Sequence, residues 1–201
     1  MSQALDLLMK KRPTQGRSRA TVEAVLEATA QLLAESGYAA LTTNHIADRA
    51  GVSIGSIYQY FPGKEAIVAQ VVDRVVDEIL TEFGQGLLGG TLDHRHVATV
   101  LYDTIDRRAA LMRTLTHEVP FLRDLPTMAG LRSRLLLLSS QIYDHNMGEK
   151  RFTHPNVATF MLTTMVQNAV IESILMPLPG MTREHAIETL GEILVRLAGF
   201  E

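Results

Sequence analysis

The chain has 201 residues, 46% of them hydrophobic, and contains no cysteine. This apolar content suffices for a packed core and argues against a wholly disordered chain. The absence of cysteine excludes disulfides and cysteine-based zinc sites. The longest unbroken aliphatic run, Leu135 to Leu138, is far shorter than the roughly 18 residues that a membrane-spanning helix needs. No signal-peptide pattern opens the chain, so we predict a cytoplasmic protein with no membrane partner.

The net charge of −3 is unevenly distributed. Residues 1–64 contain seven Lys or Arg against five Asp or Glu, whereas the remainder contains twelve against seventeen. Five of the basic residues lie within the first 20 positions: Lys10, Lys11, Arg12, Arg17 and Arg19. A positive N-terminal end of this kind suits contact with phosphate groups.

Three short helices are predicted in the first 61 residues. Apolar residues at helical spacing predict a helix over 18–35, with Gly37 in the position of a left-handed C-cap. Thr42 and Thr43 are candidate caps for a second helix, which Gly51 ends. A third helix begins at Ser53 and runs to about residue 60.

Longer helices follow along the rest of the chain. Pro62 and Gly63 predict a stop, after which a long helix begins at Lys64. Glycines at 84, 86, 89 and 90 predict a flexible joint behind it. Further helices are expected near 93–117, 121–147, 155–176 and 182–199, and no segment has the alternation of a strand. The predicted fold class is all-α.

The second and third helices, with a glycine in the tight turn between them, favour a helix-turn-helix. If Ile57 faces the core, Ser53, Ser56, Gln59 and Tyr60 lie mainly on other faces and are free to contact DNA. Their uncharged donors and acceptors suit base edges and phosphate oxygens. A glycine at position 55 weakens the third helix, which either allows a close approach to a groove wall or is merely a weak point.

The run from Thr42 to Glu65 reads TTNHIADRAGVSIGSIYQYFPGKE. It closely resembles the signature of the TetR family of bacterial transcriptional regulators, and the resemblance extends over about residues 17–80. It implies a helix-turn-helix domain over 1–62, joined by a long fourth helix to a helical ligand-sensing and dimerisation domain over 63–201. The function that it implies is a repressor, which binds a palindromic double-stranded DNA operator as a homodimer and is released by a small molecule.

The resemblance also implies individual DNA contacts. Thr43 contacts a backbone phosphate from the start of the second helix, and Lys64 binds phosphate at the start of the fourth. The DNA-facing surface of the third helix is formed by Ser53, Ile54, Gly55, Ser56, Tyr58, Gln59 and Tyr60. Basic residues before the first helix, such as Arg17 and Arg19, are candidates for phosphates or an adjacent minor groove.

The middle helices are predicted to enclose a pocket for a small, largely apolar ligand. Its candidate lining residues are Tyr102, Met112, Phe121, Leu125, Met128 and Tyr143. Ordinary core packing is the alternative for each of them. The family resemblance implies a four-helix dimer interface built from the last two helices. Its candidates are Phe160, Met161, Thr164, Met165, Asn168, Ile187, Leu190 and Leu194, unless both stripes face their own core.

Two other functions are alternatives to a ligand-released repressor. A constitutive or architectural DNA binder without a ligand requires only a closed C-terminal core. An enzyme is disfavoured because no nucleophile–base pair, phosphate loop or zinc-protease motif is present. His94 and His96 lie about 200° apart on a helix and do not share a metal there, so we predict no metal site and no cofactor.

Overall fold

A computed structural model describes residues 6–88, 93–146 and 152–198, with the side chains of 142–146 and 198 left out. Over these residues the chain is helical and contains no strand. A 3-10 turn at Leu122–Asp124 precedes the seventh helix. The α-helices, in chain order, are α1 (Gly16–Ser36), α2 (Thr43–Ala50), α3 (Ile54–Tyr60), α4 (Lys64–Leu88), α5 (His94–Asp106), α6 (Ala109–Glu118), α7 (Pro126–Asn146), α8 (Pro155–Leu175) and α9 (Arg183–Ala198).

The chain divides into two compact units. Unit 1 comprises residues 1–77 and 110–127, and unit 2 comprises 78–109 and 128–201. Unit 1 is larger than the predicted domain over 1–62, because it includes the first half of α4 and most of α6. Each unit is therefore built from two separate stretches of sequence.

The core of unit 1 is made by the first four helices. Its fully buried side chains include Val25, Leu33, Leu41, Ile46, Ile57, Phe61 and Ile67. Burying each one contributes roughly 1.5–3 kcal/mol, which offsets the cost of ordering helices as short as α2 and α3. These two helices are too short to be stable without such tertiary packing.

Residues from α6 complete unit 1 by binding the end of α1. The Thr114 hydroxyl donates to the Leu33 carbonyl oxygen at 2.9 Å, and a Glu118 carboxylate oxygen accepts from the Tyr38 backbone N–H at 2.8 Å. Gly37 ends α1 with φ 77° and ψ 173°, so it has the predicted positive φ but lies outside the left-handed helical region. A Cβ at Gly37 would lie 2.6 Å from the same Glu118 carboxylate.

The predicted single helix over 93–117 is wrong, because the chain turns at Arg107 and Arg108 between α5 and α6. No glycine or proline marks this break. Instead, the Arg108 guanidinium pairs with Glu82 and Glu78 on α4, and it also donates to the Thr104 carbonyl oxygen at 3.1 Å. Tertiary ion pairs therefore hold the turn inside unit 2.

The predicted flexible joint is also corrected where the structure describes it. Gly84 and Gly86 lie inside α4, which continues as helix to Leu88, and Gly89 and Gly90 lie outside the described residues. A Cβ at Gly86 would lie 2.6 Å from Val100 Cγ1 on α5. The glycine at 86 thus allows α4 and α5 to pack closely rather than providing a hinge.

Candidate nucleic-acid interface

Helix α2 and the turn after it form as the sequence predicts. The Thr42 side chain caps α2 by accepting from the His45 backbone N–H at 3.1 Å. Gly51 then adopts the left-handed conformation, with φ 66° and ψ 32°, a conformation that costs an L-residue with a side chain roughly 1–2 kcal/mol. The Val52 backbone N–H donates to the Ala47 carbonyl oxygen at 3.0 Å. This turn fixes the direction in which α3 leaves α2.

Helix α3 is capped by its own sequence. The Ser53 hydroxyl oxygen accepts from the Ser56 backbone N–H at 3.1 Å and lies 2.8 Å from the Ser56 hydroxyl oxygen. The two hydroxyls therefore satisfy each other at the start of α3. Ser53 is exposed and Ser56 is half-buried, so both retain acceptor capacity toward solvent.

One face of α3 is closed and the opposite face is open. Ile57 is fully buried under the helix. The Ile54 and Tyr58 side chains are 37% and 45% exposed, and Gln59 is exposed too. An apolar side chain, a phenol and an amide thus lie on the open face, where they suit contact with base edges and sugar–phosphate.

The predicted exposure of Tyr60 is wrong. Its side chain is only 7% exposed and lies in the core of unit 1. Residues three apart on a helix occupy the same face, and Tyr60 lies three residues after the buried Ile57. Its burial removes Tyr60 from the DNA-facing surface.

The structure brings Thr43 and Tyr58 together across the motif. The Thr43 hydroxyl oxygen, at the start of α2, lies 3.2 Å from the Tyr58 phenol oxygen on α3. Both side chains reach solvent, since Thr43 is half-buried and Tyr58 is exposed. Two residues predicted to contact DNA separately therefore form one hydrogen-bonded pair.

Gly55 lies in the middle of the open face, and its surroundings do not require a glycine. A Cβ there would meet only the Ser53 hydroxyl oxygen, at the ordinary contact distance of 3.8 Å. Its φ is not positive. The folded chain alone gives no reason for the absence of a side chain at this position.

Lys64 has internal partners. Its Nζ donates to the Leu41 carbonyl oxygen at 2.9 Å and to the Tyr38 carbonyl oxygen at 3.4 Å, and lies 4.5 Å from the centre of the Tyr38 ring. Since an ammonium group has three donors, one remains available. Lys64 therefore stabilises the loop between α1 and α2, independently of any contact that it makes with DNA.

The Tyr38 phenol also links the loop between α1 and α2 to the start of α4. It donates to the Glu65 carboxylate at 3.4 Å. Burial, reinforced by the negative charge of Glu65, raises the pKa of Tyr38 to about 12. The phenol is thus neutral at physiological pH and remains a donor.

The sequence did not reveal the position of Lys10. Its backbone N–H donates to the Tyr60 carbonyl oxygen at 2.8 Å, and its Nζ donates to the Tyr58 carbonyl oxygen at 3.3 Å. The basic run at 10–12 was visible in the sequence, but its partner on α3 was not. The N-terminal segment therefore lies beside the last turn of α3.

Residues 25–71 match the sequence model of the family described as bacterial regulatory proteins, tetR family. The match covers α2, α3 and the turn between them. The HTH-type transcriptional repressor KstR2 of Rhodococcus jostii is 32% identical over 113 residues, which is 54% of this chain and 54% of that protein. These matches assign the helix-turn-helix region of the chain to the TetR family. The chain spans about half the length of the curated relatives it matches.

Solved structures of other regulators extend the likeness in fold to both units. The fatty acid degradation regulator FadR of Bacillus halodurans superposes with a TM-score of 0.67 at 16% identity, over 91% of this chain and 96% of that chain. The ketosteroid transcriptional regulator KstR2 of Mycobacterium tuberculosis gives 0.58 at 20% identity, over 93% and 95%. These likenesses confirm the all-α TetR fold. KstR2 and FadR are both named as regulators, in agreement with the expectation that the chain is not an enzyme.

The predicted pocket residues are distributed over both units. Phe121 and Leu125 are buried in unit 1, where the Phe121 ring packs edge-on against Tyr38 with centroids 6.1 Å apart. Phe121 thus belongs to the packing of the helix-turn-helix unit. Met112 in unit 1 and Met128 in unit 2 are half-buried.

Unit 2 contains the remaining pocket candidates. Tyr102 is 6% exposed, and burial, followed by the charge of Asp106, raises the pKa of its phenol. Tyr143 lies outside the described side chains. Thr163 was missed by the sequence reasoning: it is 6% exposed, and its hydroxyl oxygen has no hydrogen-bond partner within the described part of the chain.

The predicted dimer residues divide between surface and core. On α9, Ile187, Leu190 and Leu194 are 2%, 6% and 3% exposed, so this stripe packs inside unit 2 and is not available to a second chain. The α8 stripe, in contrast, is largely exposed. Phe160, Met161 and Met165 are 41%, 56% and 56% exposed; Thr164 is half-buried and Asn168 is exposed.

Helix α8 is also the one described helix that is long and apolar enough to cross a membrane by length and composition. Its mean hydropathy is 1.2 over an 18-residue window, of which 28% is buried. A single helix of this kind is weak evidence for a membrane protein, because a core helix of a soluble domain has the same composition.

The histidines whose side chains the structure describes form no metal-binding cluster. The His96 Nε2 lies 2.9 Å from the Gly86 carbonyl oxygen, at hydrogen-bond distance. Among the described residues, no group of three His, Asp or Glu side chains is placed to hold a metal ion.

Proposed function

We propose that this TetR-family protein is a cytoplasmic transcriptional repressor, which binds a palindromic DNA operator as a homodimer and is released by a small, largely apolar ligand. The observation that carries the proposal is the Thr43–Tyr58 hydrogen bond, at 3.2 Å between the oxygens. It joins the start of α2 to the open face of α3 and so holds two DNA-facing side chains in one arrangement before DNA is bound.

The chemistry of the open face supports double-stranded DNA as the partner. Exposed Tyr58 and Gln59 offer hydrogen bonds, and exposed Ile54 offers an apolar contact for a thymine methyl group. Arg49 is not available as a free cation, since it pairs with Glu35 at 2.7 Å. We therefore expect uncharged groups on α3 to provide sequence specificity, and cations outside α3 to provide the electrostatic attraction to phosphate.

The exposed stripe of α8 supports a homodimer. Val157 is 55% exposed and extends the stripe of Phe160, Met161 and Met165 at helical spacing. Stripes of this kind on a soluble protein mark interaction sites. A single helix-turn-helix makes few base contacts. Two of them, paired across a palindrome, double the number of these contacts.

The buried hydroxyls of unit 2 support a ligand with a polar group on an apolar body. A buried hydroxyl without a hydrogen bond costs roughly 1–3 kcal/mol, and the Thr163 hydroxyl has no partner among the described residues. A ligand acceptor or donor would satisfy it. Because relatives are named for ketosteroid and fatty acid degradation regulation, a ketosteroid and a long-chain acyl compound are reasonable first probes.

The test begins with selection of bound fragments from random duplex DNA, followed by titration at two salt concentrations. Enrichment of a short palindrome, with affinity that falls as salt rises, is the expected result. The selected duplex then reports release by each ligand probe. A folded dimer that enriches no sequence at either salt concentration contradicts the proposal.

A further inference from the structure

The segment before α1 is fixed at both ends. At one end, Lys10 donates through its backbone N–H to the Tyr60 carbonyl oxygen and through Nζ to the Tyr58 carbonyl oxygen. At the other end, the Arg19 side chain donates to the Thr14 carbonyl oxygen at 3.4 Å, and Gln15 and Ser18 form the cap of α1. Only three residues, 11–13, lie between these two attachments.

The attachment to α3 has a simple physical cause. The last carbonyl groups of a helix lack partners within the helix and carry a partial negative charge. Tyr58 and Tyr60 supply two of these carbonyls, and Lys10 supplies a backbone donor together with a cation. The interaction therefore satisfies groups that α3 leaves open and holds the N-terminal segment beside it.

Lys11 and Arg12 lie on the fixed segment with their charges uncommitted. Both are exposed. Neither forms a hydrogen bond or ion pair with the described part of the chain, in contrast to Lys64, Arg49 and Arg74. Ordering a segment before binding reduces the entropy lost on binding, so these two cations are well placed for an anionic partner beside α3.

We infer that Lys11 and Arg12 bind the sugar–phosphate backbone of DNA that borders the groove entered by α3; this rests on the proposed function. Adjacent Cα atoms are about 3.8 Å apart, so an extended lysine or arginine next to Lys10 reaches roughly 10 Å from the end of α3. The major groove is about 12 Å wide. The reach is therefore sufficient for the phosphates along its edge.

The inference is tested with the K11A/R12A double variant on the selected operator duplex, by fluorescence anisotropy over a series of salt concentrations. Each phosphate contact contributes about 0.9 to the slope of log affinity against log salt. Since the variant removes two contacts from each chain of the homodimer, it is expected to reduce this slope by about 3.6 and the low-salt affinity at least ~10-fold. Sequence preference should not change, because phosphate contacts carry no base information. The control R95A/R123A removes two exposed charges outside this segment.

A second pair of variants tests the attachment itself. K10A and K10P both remove the lysine charge, but K10P also removes the backbone N–H that donates to Tyr60. With helicity unchanged in both, K10P is expected to bind DNA several-fold more weakly than K10A. Equal binding by the two variants overturns the claim that the backbone hydrogen bond of Lys10 holds the N-terminal segment in place for DNA binding.

The outcomes separate this inference from the proposed function. If the wild-type chain selects an operator and Y58A loses it, but K11A/R12A binds like R95A/R123A, the inference is overturned and the proposed function stands. If the wild-type chain binds no duplex at any salt concentration, both are overturned.

Discussion

Gly55 separates the demands of folding from those of binding. Inside the protein a Cβ at this position has room, at 3.8 Å from its nearest neighbour, and alanine favours a helix over glycine by roughly 1 kcal/mol. We expect Gly55→Ala to raise the free energy of unfolding by about 0.5–1 kcal/mol and to weaken operator binding at least ~10-fold. Urea unfolding and anisotropy measure the two effects.

A matched substitution is available on α7. Gly130 is exposed and helical, and a Cβ there would have no neighbour within 4 Å. Gly130→Ala should give a similar gain in stability without a change in DNA binding. If Gly55→Ala binds the operator as tightly as Gly130→Ala does, close approach of α3 to DNA is not the reason for the glycine.

The Thr43–Tyr58 pair gives a second prediction at this scale. If the bond between their oxygens prepares the surface for DNA, Tyr58→Phe and Thr43→Val should each weaken binding, and the double variant should lose less than the sum of the single losses. The expected coupling is about 0.5–1.5 kcal/mol. Thr43→Ser retains the hydroxyl and serves as the control. Strictly additive losses would mean that the two side chains act independently.

At the level of elements, the exposed stripe of α8 is the surface on which the proposed homodimer depends. Replacing Met161 and Met165, each 56% exposed, by glutamate places like charges opposite each other in a symmetric interface. The variant should remain folded as a monomer in sedimentation and lose operator affinity at nanomolar concentration. The corresponding change on α9, Glu188 and Glu192 to glutamine, alters exposed residues outside the α8 stripe and should leave the dimer intact.

The sequence predicted the helices of the DNA-binding motif and their caps because local interactions determine them. Thr42, Ser53 and Gly51 act within a few residues of themselves, and their roles can be predicted from local rules. The break at Arg108 could not be predicted, since it depends on Glu82, 26 residues earlier in the chain.

The same division between local and distant partners applies to the candidate site. Exposure of Gln59 followed from burial of Ile57, but the same spacing did not separate buried Tyr60 from exposed Ile54, since each lies three residues from Ile57. The partners of Lys64 and Lys10 are carbonyl oxygens more than 20 residues away. On α9, the apolar stripe alone did not decide between its own core and a second chain, because both require the same residues.

Across the whole molecule, each unit contains a carboxylate with a lowered pKa. Hydrogen bonding to Arg108 lowers the pKa of Glu82 in unit 2, and hydrogen bonding to Arg74 lowers that of Glu27 in unit 1. Since these groups bind protons more weakly when folded, their contribution to stability is present above the unfolded pKa of 4.5 and is lost as the pH falls through the lower folded value.

Urea unfolding at pH 7 and at pH values below 4.5 checks this expectation. Glu82→Gln should reduce the free energy of unfolding by about 1 kcal/mol at pH 7, and the difference from the wild-type chain should shrink as the pH falls below 4.5. Glu188→Gln alters an exposed carboxylate for comparison. A difference that stays constant with pH would show that the loss is one of packing rather than of charge.

The bonds from α6 to the end of α1 have a consequence for how the chain is made. Leu33 and Tyr38 bind Thr114 and Glu118, which are synthesised about 80 residues later. A nascent chain that has exposed only α1 to α4 lacks these partners and the buried Phe121 ring against Tyr38. Unit 1 is therefore completed only after α5, α6 and Phe121 have emerged from the ribosome, and a chain truncated before them contains the motif without these last contacts.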